Sequence, residues 1–113
     1  MIELNTEEDL ETCLARSERE PVFLYKHSTA CSTSASAHRR LRAYLSAAPP
    51  STPPFHLVKV IESRLVSNRI AEVLGVRHQS PQLILVQGRR AIWETSHGQI
   101  TAESIAQALG NHR

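Results

Sequence analysis

Residues Val22-Phe23-Leu24-Tyr25, opened by Pro21, form an apolar run with no alternation of polar and apolar side chains. A strand with one face in water alternates, so a run apolar at every position must be covered on both faces. That requirement points to the buried middle of a parallel arrangement, with helices packed above and below. Two further runs read as core strands, Phe55-His56-Leu57-Val58-Lys59-Val60-Ile61 and Leu83-Ile84-Leu85-Val86. With 113 residues, the chain suits one domain over 1–113 with a core that needs no disulfide or metal staple.

Between the strands the apolar period changes to that of helices. Thr6 caps a first helix with acids in its first turn and Leu10 and Leu14 on one face. A second helix begins at Ala35-Ser36-Ala37 and carries Ala37, Leu41, Tyr44, Leu45 and Ala48 at helical spacing until Pro49-Pro50 stops it. A third places Ile70, Val73 and Leu74 inward and ends at Gly75. Leu83 to Val86, a turn at Gln87-Gly88, and Ala91-Ile92-Trp93-Glu94 read as an antiparallel hairpin. Thr101 caps a last helix, with Ile100 and Ile105 spaced as a hydrophobic staple. The order is helix, strand, helix, strand, helix, strand, strand, helix: an α/β chain with a central mixed sheet of about four strands flanked by helices. Period-two signal over Met1 to Leu4 is too short to assign a strand.

Composition narrows the chemistry. The net charge of +2 is unevenly spread, with Glu3, Glu7, Glu8, Asp9, Glu11, Glu18 and Glu20 in the first twenty residues. Arg39, Arg40 and Arg42 cluster on the second helix, as a solvated face or an attraction for carboxylates and phosphates. Few aromatics, modest charge and no nucleic-acid motif argue against nucleic acid as a partner. Two cysteines are too few for a disulfide scaffold, the N-terminus lacks the features of a signal peptide, and no stretch approaches the ~20 apolar residues of a membrane span. A cytoplasmic protein off the membrane is expected. No HxxxH or CxxC pair accompanies the six histidines, so no metal site is expected.

Cys31 follows the first apolar strand and precedes the second helix. The first turn of a helix carries unpaired N–H groups and the positive end of the helix dipole, and both favour thiolate over thiol. Ser34 stands where a CxxC motif would carry its second cysteine, so Cys31 is a nucleophile without a built-in resolving thiol. A mixed disulfide on it would be released by an outside thiol. Ser34 reads either as a hydrogen-bond donor to the Cys31 sulfur or as a helix-start residue satisfying its own backbone. Lys26 and His27 read either as electrostatic helpers of the thiolate or, respectively, as a strand-end surface charge and a hydrogen-bonding structural residue. Cys13 lies beside the apolar face of the first helix and reads as a packing residue, or as a resolving thiol if the fold brings it to Cys31.

This order of elements is the thioredoxin pattern. Nearly the whole chain resembles the YtxJ-like family of monothiol bacilliredoxins of the bacillithiol system. The likeness is carried by Pro21 through Thr29, Cys31 and Ser34, by Val60-Ile61-Glu62 with Arg64, Val66-Ser67-Asn68 and Ile70-Ala71, by Gly75-Val76, His78 and Ser80-Pro81-Gln82, and by Ser96-His97 with Ile100-Thr101. It implies a thioredoxin-like domain whose Ser80-Pro81 bond is cis and faces Cys31. It implies a thiol-disulfide oxidoreductase that removes bacillithiol from protein mixed disulfides through Cys31. No cofactor is bound, bacillithiol is the co-substrate, and the partners are bacillithiolated proteins and free bacillithiol. Substrate would meet Thr29, Ala30, Ser32, Ser80 and Pro81, the last two presenting backbone groups to an extended chain. Ser32 stands where the family has proline, adding a backbone donor while loosening the turn, and Gly98 stands where a large aromatic often follows the Ser-His pair. The rival readings are a non-catalytic thioredoxin-fold binding module and a redox sensor pairing Cys31 with Cys13. The sequence leaves the oligomeric state open.

Overall fold

The computed structural model describes residues 1–111. In chain order the elements are β1 (Ile2–Glu3), α1 (Glu7–Arg16), β2 (Val22–His27), α2 (Ser32–Ala47), β3 (Phe55–Lys59), α3 (Arg64–Leu74), β4 (Gln82–Gln87), β5 (Arg90–Ser96), a 3-10 turn at His97–Gln99, and α4 (Ala102–Asn111). The strands form one mixed sheet in the order β1-β3-β2-β4-β5. β2 pairs parallel with β3 and antiparallel with β4, so its position is central but its neighbours run both ways.

Five strands are present where about four were expected. β1 pairs only through Ile2 with His56 and Glu3 with Leu57, and Leu4 N–H continues the ladder to Leu57 O at 2.8 Å. Its two residues are exposed, so the sheet edge, and not any apolar periodicity, makes it a strand. β3 ends at Lys59, two residues short of the apolar run, because the chain turns there. α2 starts at Ser32, three residues before the expected start, since its Ser and Thr residues resemble a loop in composition yet suit a first helical turn.

Alternation along β2 divides the core. Val22 and Leu24 join Leu10, Cys13, Leu14, Val66 and Ile70 in the layer under α1 and α3. Phe23 and Tyr25 join Ala37, Leu41, Ile105 and Ala108 in the layer under α2 and α4. These four β2 side chains have no exposed surface, and burial of each contributes on the order of 1.5–3 kcal/mol. On α3 the buried stripe is Val66, Ser67 and Ile70; Val73, expected to face inward on the same side, is exposed near the end of the helix.

Local signals fix the ends. Thr6 and Asp9 form a capping box on α1, and Thr101 Oγ1 accepts the N–H of Ser104 at the start of α4, with Ile100 and Ile105 both buried. Gly75 ends α3 in the left-handed conformation (φ 63°). The β4–β5 turn sits one residue later than the sequence indicates: Gly88 and Arg89 both have positive φ, the pattern of a tight hairpin turn. Ser17 anchors it, its carbonyl and hydroxyl accepting the N–H groups of Gly88 and Arg89.

Because β2 and β3 run parallel and β4 runs against them, three connections meet at one end of the sheet. They are residues 28–31 after β2, 60–63 after β3, and 75–81 before β4. Cys31 and Pro81 therefore share an end of the molecule.

Candidate functional site around Cys31

Cys31 is the N-cap of α2, with extended backbone (φ −122°, ψ 127°) and a partly exposed side chain. Its carbonyl accepts the first helical bond, from Ala35 N–H at 3.0 Å, and its own N–H reaches back to Ser28 O. The thiol makes no closed side-chain cap, but its pKa lies below that of an ordinary thiol. The backbone N–H groups of Ser34 and Thr33 are the main cause, and their hydroxyls add to it. Ser32, whose N–H had been expected to add a donor, is not among the groups acting on the sulfur.

Ser34 does not satisfy its own backbone. It is fully buried, and its Oγ accepts the Ser28 N–H at 3.2 Å, fastening the loop before Cys31 to the helix after it. Its contribution to the sulfur is chiefly through its backbone. Beneath, the Tyr25 hydroxyl donates to Ser34 O at 3.1 Å and lies 3.2 Å from His27 Nδ1. With its one proton given to the carbonyl, Tyr25 accepts from His27, which places the His27 proton on Nδ1. Burial holds the His27 pKa below its usual value, helped by His38, whose ring packs 4.7 Å away.

Neither Lys26 nor His27 is among the groups that lower the Cys31 pKa, which are those of α2. His27 is a buried residue bonded to Tyr25. Lys26 is not a surface charge either. It has no exposed area, burial lowers its pKa to about 8, and its Nζ sits 3.0 Å from His78 Nδ1. Alternation puts it on the α1/α3 side of the sheet with Val22 and Leu24, while α2 covers the other side.

Of the residues expected to meet substrate, Thr29, Ala30 and Ser32 are exposed around Cys31, and Thr29 Oγ1 donates to Glu62 Oε2 at 2.8 Å. The Ser80–Pro81 bond is cis, and Pro81 is buried. Pro81 O already accepts the His97 N–H at 3.1 Å. Of the two residues expected to offer backbone groups, Ser80 has no backbone hydrogen-bond partner among the described residues, while the one Pro81 group, its carbonyl, is already engaged by His97. Tyr25, Ser28, His38 and Glu62 complete the surroundings of Cys31 and were not singled out as site residues; His78, also not singled out, touches Lys26 and none of the groups acting on the thiol. Tyr25, Ser28, Glu62 and His78 were visible only as part of the family likeness, and His38 is brought in by its place on α2 against His27.

Cys13 is free, as is Cys31, and is buried under α1 with its pKa raised to about 11 by desolvation. Cys13 lies in the layer under α1 and α3, and Cys31 caps α2, which covers the other face of the sheet, so the fold gives no support to a Cys13–Cys31 pair. Among the described residues no three His, Cys, Asp or Glu side chains converge as for a metal, and no helix is long and apolar enough to cross a membrane.

The profile of the monothiol bacilliredoxin BrxC family matches residues 2–105. This chain belongs to that family. Among solved structures, an oxidoreductase candidate with a thioredoxin fold is 30% identical with a TM-score of 0.81, over 96% of this chain and 92% of that one. Thioredoxin from Fasciola hepatica is similar over 100% of both chains at 13% identity and a TM-score of 0.78. Thioredoxin from Schistosoma mansoni is 13% identical with a TM-score of 0.76, over 99% of this chain and 97% of that one. The fold is thus the thioredoxin fold, and the family assigns the chain to thiol redox chemistry.

Proposed function

We propose that the protein is a cytoplasmic thiol-disulfide oxidoreductase, a single domain that removes bacillithiol from protein mixed disulfides. The Cys31 thiolate attacks the bacillithiol sulfur; a Cys31–bacillithiol disulfide forms, the mixed disulfide breaks, and the protein leaves as its thiolate. A free bacillithiol thiolate then attacks the bacillithiol sulfur held on Cys31, releasing the Cys31 thiolate and bacillithiol disulfide. Each step exchanges one S–S bond for another, so no external oxidant or bound cofactor enters.

The observation that carries this reading is the placement of Cys31 at the start of a sixteen-residue helix, its pKa lowered by Ser34 and Thr33, with a buried serine where a resolving thiol would stand. Thiolate is available for attack, and nothing within the motif displaces the adduct. The free backbone of Ser80 supports docking of the substrate chain as an added strand.

Intact-mass spectrometry of wild type, Cys31→Ser and Cys13→Ser after incubation with a bacillithiolated protein tests the reading. One bacillithiol adduct that requires Cys31 and not Cys13, with the substrate thiol regenerated, is expected. No adduct and an unchanged substrate would remove it.

A further inference from the structure

A lysine with no exposed surface needs a reason, because desolvation of its amine is costly and an apolar residue in the same place would extend the core. Lys26 lies on β2 directly opposite Gln82 on β4, and both side chains are fully buried. The Lys26 amine reaches out of the apolar layer to a single polar contact among the described residues, the exposed His78, at 3.0 Å. As an ammonium it only donates, so His78 Nδ1 accepts and the histidine carries its proton on Nε2. Gln82 Nε2 donates to the carbonyl of Arg77, the residue before, at 3.1 Å, and to Glu94 Oε2 at 3.1 Å. Two buried side chains from the sheet therefore grip consecutive residues, 77 and 78, of the segment that delivers Ser80 and Pro81. At its other end the segment is held by His97 N–H on Pro81 O.

We propose that Lys26 is a positioning residue for substrate: through His78 it fixes the segment 77–81 so that the unpaired Ser80 backbone faces the chain carrying the mixed disulfide. The proposal rests on Cys31 being the exchange nucleophile and adds how the substrate's polypeptide is held. Lys26 acts on docking and not on the sulfur, which is activated from α2 on the other side of the sheet. A small disulfide that does not pair with Ser80 is indifferent to Lys26, whereas a peptide substrate depends on it.

The test compares wild type, Lys26→Met, His78→Ala and the double variant on two probes with bacillithiol as reductant. One is bis(2-hydroxyethyl) disulfide; the other is a peptide carrying a cysteine–bacillithiol mixed disulfide. His78→Ala cuts the same contact from the exposed side and leaves the core intact, so the test stands even if Lys26→Met folds poorly. Both single variants are expected to react with the small disulfide within about twofold of wild type while KM for the peptide rises about tenfold with kcat little changed. The double variant is expected to be no worse than either single one, because both remove one contact. A parallel loss on both probes in His78→Ala, an unchanged peptide KM, or additive effects in the double variant would overturn the proposal. Failure of wild type to exchange with either probe would overturn the nucleophile reading, and this proposal with it.

Discussion

Cys13 and Cys31 are the same residue type in one small protein, and the fold gives them opposite chemistry. Cys13 is an interior residue of α1, 1% exposed, in an apolar layer that offers a thiolate nothing. Cys31 sits at the first turn of α2, where N–H groups without helical partners face the sulfur. Desolvation raises one pKa to about 11 and backbone donors lower the other. Reactivity here is a property of position along a helix: the interior of a helix has spent its N–H groups, and the start has not.

The largest expected effect is in alkylation. At pH 7 and native conditions, iodoacetamide should modify Cys31 at least ~100-fold faster than Cys13, since the thiolate fractions differ by orders of magnitude and Cys13 is also shielded. Residue-specific mass spectrometry over time measures both. Comparable rates would break the comparison at its base; in denaturant the two rates should converge, which assigns the difference to the fold.

A second prediction uses the layer that silences Cys13. Lys26 lies on the same side of the sheet, and burial acts on it with the opposite sign. The unfolded lysine holds its proton up to its ordinary pKa of 10.5, while the folded one releases it near 8. Between those values the unfolded state binds more protons, so Lys26 makes stability rise with pH there, by about 3 kcal/mol in all. Cys13 titrates at 9 unfolded and about 11 folded, so its contribution is present below pH 9 and is lost as pH rises through 11, again by about 3 kcal/mol. Urea unfolding from pH 7 to 10 should show Lys26→Met losing the rise and Cys13→Ala losing the fall. Identical pH profiles for both variants and wild type would mean that neither group is desolvated as described.

Much of the fold was legible because β2 announces its own burial: four consecutive apolar residues demand layers on both faces. The place of Cys31 at a helix start, with a serine three residues on, was legible because the helix-start argument needs only local sequence. What escaped depends on distant residues. β1 is a strand only because β3 lies beside it. Lys26, charged and at a strand end, looked like a surface residue or a helper of the sulfur; its burial and its contact with His78 follow from β2–β4 pairing across more than fifty residues, which no local pattern encodes. Pro81 could be placed in the sequence, but the capture of its carbonyl by His97 could not.

A third prediction concerns Ser34, whose hydroxyl holds the Ser28 N–H while its backbone acts on the sulfur. Ser34→Ala leaves that N–H without its acceptor and should cost about 1–2 kcal/mol in urea unfolding, because the site is buried. The Cys31 pKa should rise only slightly, since the larger donors are backbone groups that the substitution retains. Loss of rapid alkylation in Ser34→Ala would transfer the activation of Cys31 from the helix start to one hydroxyl and would weaken the contrast with Cys13.

The smallest expected effect is at Ser32, the residue that follows Cys31. Ser32 is the first residue of α2, where an N–H has no helical acceptor and proline is well tolerated. Cys31 before it already has φ −122° and ψ 127°, the extended conformation that proline imposes on its predecessor. Ser32 N–H is not among the donors that lower the Cys31 pKa. Ser32→Pro should therefore fit without rearrangement and stabilise by about 0.5 kcal/mol, by restricting the unfolded chain. The pH dependence of Cys31 alkylation should stay where it is. A shift of that profile to higher pH would show that Ser32 N–H does reach the thiolate, and that this chain activates its cysteine with one donor more than a chain with proline has.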